Sequence, residues 1–218
     1  MRFRTTVLLL ILAGCSPYVH SPPGRSLPLE APKALNPRET GIQIEGTGTV
    51  GEYVGLGGAT LRLRHGLVKG LDGNVEGGFH RIRVTSSTYR IDDRWLFTGR
   101  GGFKYAPIDH FAIRAGVAGG GWSGGGFVSP DVSLIAGYEN PYCVPFIDLG
   151  FFASIPTRES VVTLIDTGSG DGNYLAVPAT TLGWTLGTGM RVPLSHAKTT
   201  HTKSAVLIGF GVRGAYFD

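Results

Sequence analysis

The sequence predicts an all-β fold, an antiparallel up-and-down β-barrel of about 8–10 strands set across a membrane. Three observations lead there. Glycine makes up 35 of 218 residues, about twice ordinary usage, and charged residues are only 17% against an ordinary ~25%. So much glycine disfavours helical bundles, because each helical glycine costs ~1 kcal/mol relative to alanine. Beyond residue 39, apolar and polar residues alternate with period 2 in one short run after another, the pattern of antiparallel sheet with one apolar face. Finally, the runs reach the ~9–11 residues a tilted membrane strand needs, and aromatic residues gather at their ends. The low charge and 22 aromatic residues exclude a disordered polyelectrolyte. Two cysteines exclude a disulfide scaffold.

The chain starts with a short basic segment carrying Arg2 and Arg4, followed by an apolar stretch over residues 7–12 and then Leu12-Ala13-Gly14-Cys15. That stretch is too short to span a bilayer and reads as a cleavable export signal over residues 1–14. Leu12-Ala13-Gly14-Cys15 resembles the bacterial lipoprotein box. The resemblance implies that Cys15 becomes the lipidated first residue of the mature chain, carrying palmitate-type acyl chains after the lipoprotein-processing machinery has acted. Ser16 after the cysteine points to the bacterial outer membrane rather than the inner one. Without residues 1–14 the balance is 18 basic against 16 acidic residues, and no basic cluster suggests nucleic-acid binding. Cys143 is then left without a disulfide partner.

Residues 15–38 hold Pro17, Pro22, Pro23, Pro28, Pro32 and Pro37 and show no apolar period. They read as an extended, lipidated, Pro-rich tether. Residues 39–218 form the barrel domain, with nine strand-like runs at about 40–50, 57–68, 73–84, 95–106, 110–120, 130–139, 143–156, 179–193 and 204–217. In the second run Leu61, Leu63 and Leu67 share a face opposite Thr60, Arg62 and Arg64. The fourth opposes Phe97, Phe103 and Tyr105 to Thr98, Arg100 and Lys104, and the fifth opposes Phe111, Ile113, Ala115 and Val117 to Arg114. The eighth sets Leu182, Trp184, Leu186, Met190 and Val192 against Thr181, Gly183, Thr185 and Arg191. In the last, Val206, Ile208, Phe210, Val212 and Tyr216 oppose Gly209, Gly211 and Arg213. Single-chain bacterial barrels have even strand numbers, so the sequence leaves the count at eight, nine or ten. Residues 147–192 read as one long hairpin around residues 167–173.

Tyr53, Tyr89, Trp95, Trp122, Phe127, Tyr138, Tyr142, Trp184 and Tyr216 fall near run ends, where amphipathic rings suit the headgroup level. With short turns such as Lys69-Gly70-Leu71-Asp72 on one end and longer glycine-rich loops on the other, residues 39–218 resemble the small outer-membrane β-barrel proteins. Residues 209–217 are similar to the aromatic-ended terminal strand read by the barrel-insertion machinery, although the chain ends in Asp218. A soluble barrel or sandwich is the competing architecture.

Some 180 residues at ~20 per strand and connection cannot make a sixteen-stranded porin, and barrels of about eight strands fill their interior with side chains. The inward face offers Arg62, Arg64, Arg100, Lys104, Arg114, Arg191 and Arg213, with Glu45, Glu76, Glu139 and Asp148 as counter-charges. This is expected to be a salt-bridged charge network filling the lumen, since an unpaired interior charge is costly. Three surplus positive charges leave room for a bound anion.

Residues 166–173 (Asp-Thr-Gly-Ser-Gly-Asp-Gly-Asn) lack the terminal glutamate of a calcium loop and read as a polar hairpin tip. His65, His80, His110, His196 and His201 follow no metal spacing, and Ser195, His196 and Asp148 make no triad that spacing can justify. No metal, cofactor or catalytic residue is expected. The sequence thus points to a non-enzymatic envelope or surface protein, lipid-anchored in the outer membrane, with a structural or binding role. The alternatives are a soluble lipoprotein barrel carrying a small apolar ligand, or a narrow anion-selective channel.

Overall fold

The computed structural model describes residues 29–50, 54–85, 89–122, 125–157, 162–166, 173–176, 179–194 and 205–217. Cys15, the signal segment, Ser195, His196, His201 and residues 167–172 lie outside the described residues. The strands are β1 (Thr40–Val50), β2 (Val54–Val68), β3 (Leu71–Thr85), β4 (Tyr89–Ile108), β5 (Phe111–Trp122), β6 (Gly125–Gly137), β7 (Val144–Pro156), β8 (Val162–Asp166), β9 (Asn173–Ala176), β10 (Thr181–Pro193) and β11 (Ala205–Phe217). Nine of them form an antiparallel meander in the order β1-β2-β3-β4-β5-β6-β7-β10-β11. Each of the nine alternating runs in the sequence falls on one of these strands. The sheet is curled but open, a half-barrel with no β1–β11 ladder among the described residues. The closed barrel of the sequence reading is therefore met only as far as its curled antiparallel wall. Because the path has an odd number of strands, β1 and β11 run in the same direction.

Alternation along each strand puts one residue set on the concave side and the next on the convex side. On β7, Val144, Phe146, Asp148 and Ser154 are buried, whereas Ile147, Leu149, Phe151 and Ile155 are exposed between them. Turn chemistry fixes the register between β2 and β3. Gly70, at φ 78°, closes the two-residue β2–β3 turn, and a Cβ there would press on the Ala106 carbonyl oxygen at 2.7 Å. The β6–β7 ladder is interrupted between Val128↔Ile155 and Asp131↔Phe152, where Pro130 has no N–H to donate.

Two features depart from the sequence reading. The expected contrast between short turns and long glycine-rich loops is only partial, because Gly119, Gly120 and Gly121 belong to β5 and Gly125 and Gly126 to β6. Among the described residues, the long connection 157–180 carries further structure, the β8–β9 hairpin. That hairpin pairs with the start of β4 at Tyr89↔Asp166 and Arg90↔Ile165, beyond the point where β5 ends opposite Leu96.

The second departure concerns residues 29–38, expected to be part of a tether. They lie against the concave wall as a strap, at the end that carries the β2–β3 and β4–β5 turns. Leu29 and Ala31 pack with Val144, Phe146 and Leu207, while Ala34 packs on Ala106, Ala112 and Ile135. Leu35 N–H donates to Asp72 at 3.2 Å. Arg38 N–H then donates to the Gly66 carbonyl at 2.8 Å, and Gly66 N–H returns a bond to Glu39 at 2.9 Å. The strap thereby touches both sides of the half-barrel before the chain enters β1.

Candidate functional site

The concave face carries a buried ionic cluster beside apolar residues such as Leu96, Phe127, Ile135, Val144 and Phe146. Arg62, Lys104, Arg114 and Asp148 are among the largest fully buried side chains of the molecule. Strand register explains their arrangement, because Gln43, Arg62, Glu76 and Arg100 stand opposite one another across β1, β2, β3 and β4. Signs alternate over Arg62, Glu76 and Arg100 in this row, which is the favourable cross-strand order. A second row sets Asp72, Lys104, Arg114 and Ser133 across β3, β4, β5 and β6.

Arg62, Arg64, Arg100, Lys104, Arg114 and Arg191 each meet an acid outside the strap. Arg62 lies 3.2 Å from Glu45 and 3.2 Å from Glu76, and Arg64 lies 2.6 Å from Asp72. Arg100 holds both Asp131 oxygens at 2.7 Å, and also donates to Asn74 at 2.7 Å and Glu76 at 3.2 Å. To reach Asp131, two strands away, its guanidinium crosses β5 over Gly116, where any Cβ would collide with it. Arg114 likewise passes Ser133, to which it donates at 2.6 Å, and reaches Asp148 on β7 at 3.1 Å. Arg191 and Glu139 pair at 3.0 Å near the rim. Arg213 sits beside Phe152, its guanidinium carbon 5.8 Å from the ring centre.

Glu30, on the strap, joins these wall pairs. Its carboxylate receives Lys104 at 2.7 Å, Arg64 and Arg114 at 3.1 Å each, and Arg62 at 3.6 Å. Lys104 also donates to the Ala31 and Lys33 carbonyls at 3.3 and 2.8 Å. Burial by itself would raise the Glu30 carboxyl, but Arg64, Lys104 and Arg114 outweigh it and hold the group well below the ordinary carboxylate range.

The sequence-predicted set Glu45, Arg62, Arg64, Glu76, Arg100, Lys104, Arg114, Glu139, Asp148, Arg191 and Arg213 thus lines one face, with three acids the sequence reading did not assign to it. Asp72, Asp131 and Glu30 bring the described concave face to seven acids against seven bases. The expected surplus of three positive charges disappears. Asp72 and Asp131 could have been found by extending the period-2 pattern, since Asp72 shares a face with Glu76 and Asp131 with Ser133. Glu30 has no such signal, because it lies outside every alternating run.

Of the histidines, His80 is buried beside Gly58 and Gly78, His65 bonds Thr40 at 2.9 Å, and His110 stacks on Tyr138. Among the described residues no three His, Cys, Asp or Glu side chains are grouped to hold a metal ion. Comparison with known proteins finds no matching family, no similar curated protein and no matching solved structure.

Proposed function

We propose that the chain is a lipid-anchored outer-membrane β-barrel protein with a non-enzymatic envelope or surface role, its lumen closed by an internal charge network. One observation carries the reading, the composition of the convex face. Among residues whose side chains are described, the outward positions of the nine meander strands carry a single charged residue, Arg81. It lies at one rim, over the Trp95 ring. The rest of that face is side chains such as Ile44, Phe103, Val132, Phe151 and Phe210, all exposed. Soluble monomers rarely expose apolar patches beyond a few hundred Å².

Dimensions support the same reading. Trp95 and Tyr105, both about half exposed, lie ten residues apart on β4. At ~3.3 Å per residue and a tilt of ~40°, that spans ~25 Å, the height of a lipid-facing barrel band. In lipid, unpaired backbone groups on the edges of β1 and β11 would each cost several kcal/mol. A membrane barrel therefore requires the two edges, open in the structure, to be covered, by each other or by a further strand. Cys15 supplies the second hold on the membrane, and the lipoprotein-processing and barrel-insertion machineries are the partners this implies.

A soluble barrel with an apolar ligand is less well supported. Such a ligand would have to sit among guanidinium groups and displace Glu30 from four cations. An anion channel loses its main argument with the seven-to-seven charge balance. The test is Cys15→Ala protein, which should still need detergent for extraction and should migrate differently on gels before and after boiling. Its release as a soluble monomer would overturn the proposal.

A further inference from the structure

We propose that residues 29–36 are a displaceable plug and that their departure opens the lumen to small ions. The inference rests on the membrane-barrel reading for its ionic readout, but the plug itself is argued from the strap and the wall. Arg62, Arg64, Arg100, Lys104 and Arg114 keep wall partners without the strap, in Glu45, Asp72, Glu76, Asp131 and Asp148. Counted over the whole concave face, seven bases then stand against six acids. Glu30 is the seventh acid, brought in by a segment outside the sheet.

The strap is held chiefly by polar contacts. Its carboxylate meets four cations, Lys104 takes two of its carbonyls, and Asp72 takes one of its N–H groups. Its apolar contacts are modest, with Leu29 and small residues such as Ala31 and Ala34 as footholds. Charge-assisted bonds of this kind are strong while made, but their net contribution is smaller where water can take the partner's place. Once the strap leaves, the space along Arg114, Lys104 and Arg62 is lined by paired charges and fills with water.

Two measurements on full-length protein carrying Cys143→Ser test this. Ser133→Cys places a thiol next to Arg114, at a position only 2% exposed. A water-soluble methanethiosulfonate reagent should label it slowly with Glu30 present and at least ~10-fold faster in Glu30→Gln, the least effect expected from one lost charge-assisted hydrogen bond. Equal labelling rates would overturn the plug, whether or not the protein inserts into membranes. In planar bilayers, Glu30→Gln should show conductance steps that wild type shows rarely. In Glu30→Gln an added disulfide between Ala34→Cys and Ala112→Cys should abolish them until reductant is added. Steps that persist with the strap locked would also overturn it. Failure of the protein to insert at all would instead count against the membrane reading.

Discussion

Val132 and Ser133 are neighbours on β6, yet Val132 is 42% exposed on the convex face while Ser133 is 2% exposed and accepts a hydrogen bond from Arg114. The same contrast repeats along the sheet. Phe103 is exposed next to buried Lys104, and Ile113 next to buried Arg114. In a water-soluble fold the apolar set would be inside. Here the ionic set is inside and largely paired, and the apolar set faces out, the arrangement for which the membrane proposal accounts. Glycine is distributed by the same logic. At Gly101, on the convex face, an added Cβ would meet nothing within 4 Å, whereas Gly116, on the concave face, leaves the passage through which Arg100 reaches Asp131.

The largest break in this contrast should come from the ionic side. Arg114→Ala removes the shared partner of Glu30 and Asp148, and leaving buried charges short of a partner costs ~3–5 kcal/mol. Urea unfolding in vesicles, followed by tryptophan fluorescence, reads that loss. Val132→Arg should cost ~2–4 kcal/mol in vesicles if the convex face meets lipid. On a water-facing surface the same change stays within ~0.5 kcal/mol. One substitution placed on each face sharpens the comparison further. Gly116→Ala should destabilise by ~1–3 kcal/mol by pushing Arg100 away from Asp131, whereas Gly101→Ala should be neutral or slightly stabilising.

The smallest effect is a pH dependence of the strap. Because the folded protein holds the Glu30 carboxyl below its ordinary value near 4.5, Glu30 contributes stability that is fully present above that value. It is lost as pH falls through the depressed folded value. The stability gap between wild type and Glu30→Gln should therefore be constant at neutral pH and close on acidification. A gap that widens in acid would contradict the Glu30 geometry.

Much of this architecture is legible in the sequence, because a period of two needs no partner to be seen. Arg62 alternates with Leu61 and Leu63 whatever lies across the sheet, so the strands and the inward set can be assigned locally. The strand number stays open at that level, and nine is what the meander contains. What cannot be read locally depends on distant partners. Glu30 meets Lys104 and Arg114 across 74 and 84 residues of chain, and its proline-rich surroundings look like a solvated linker. The role of Gly116 is hidden for the same reason, since it is fixed by an arginine on the neighbouring strand. Asp72 falls outside the assigned set because it stands one residue before the third alternating run, against the β2–β3 turn.

The claim that the convex face lies in lipid is tested most directly by comparing neighbouring residues. A fluorophore attached at Val132→Cys or at Ser133→Cys, in protein carrying Cys15→Ala and Cys143→Ser, reports from the two sides of one strand in the same vesicle. Quenchers carried on lipid acyl chains should strongly quench the label at position 132 and spare the one at 133, while aqueous iodide should leave position 132 bright. If iodide quenches position 132 and the lipid quenchers do not, the convex face is in water and the membrane account fails.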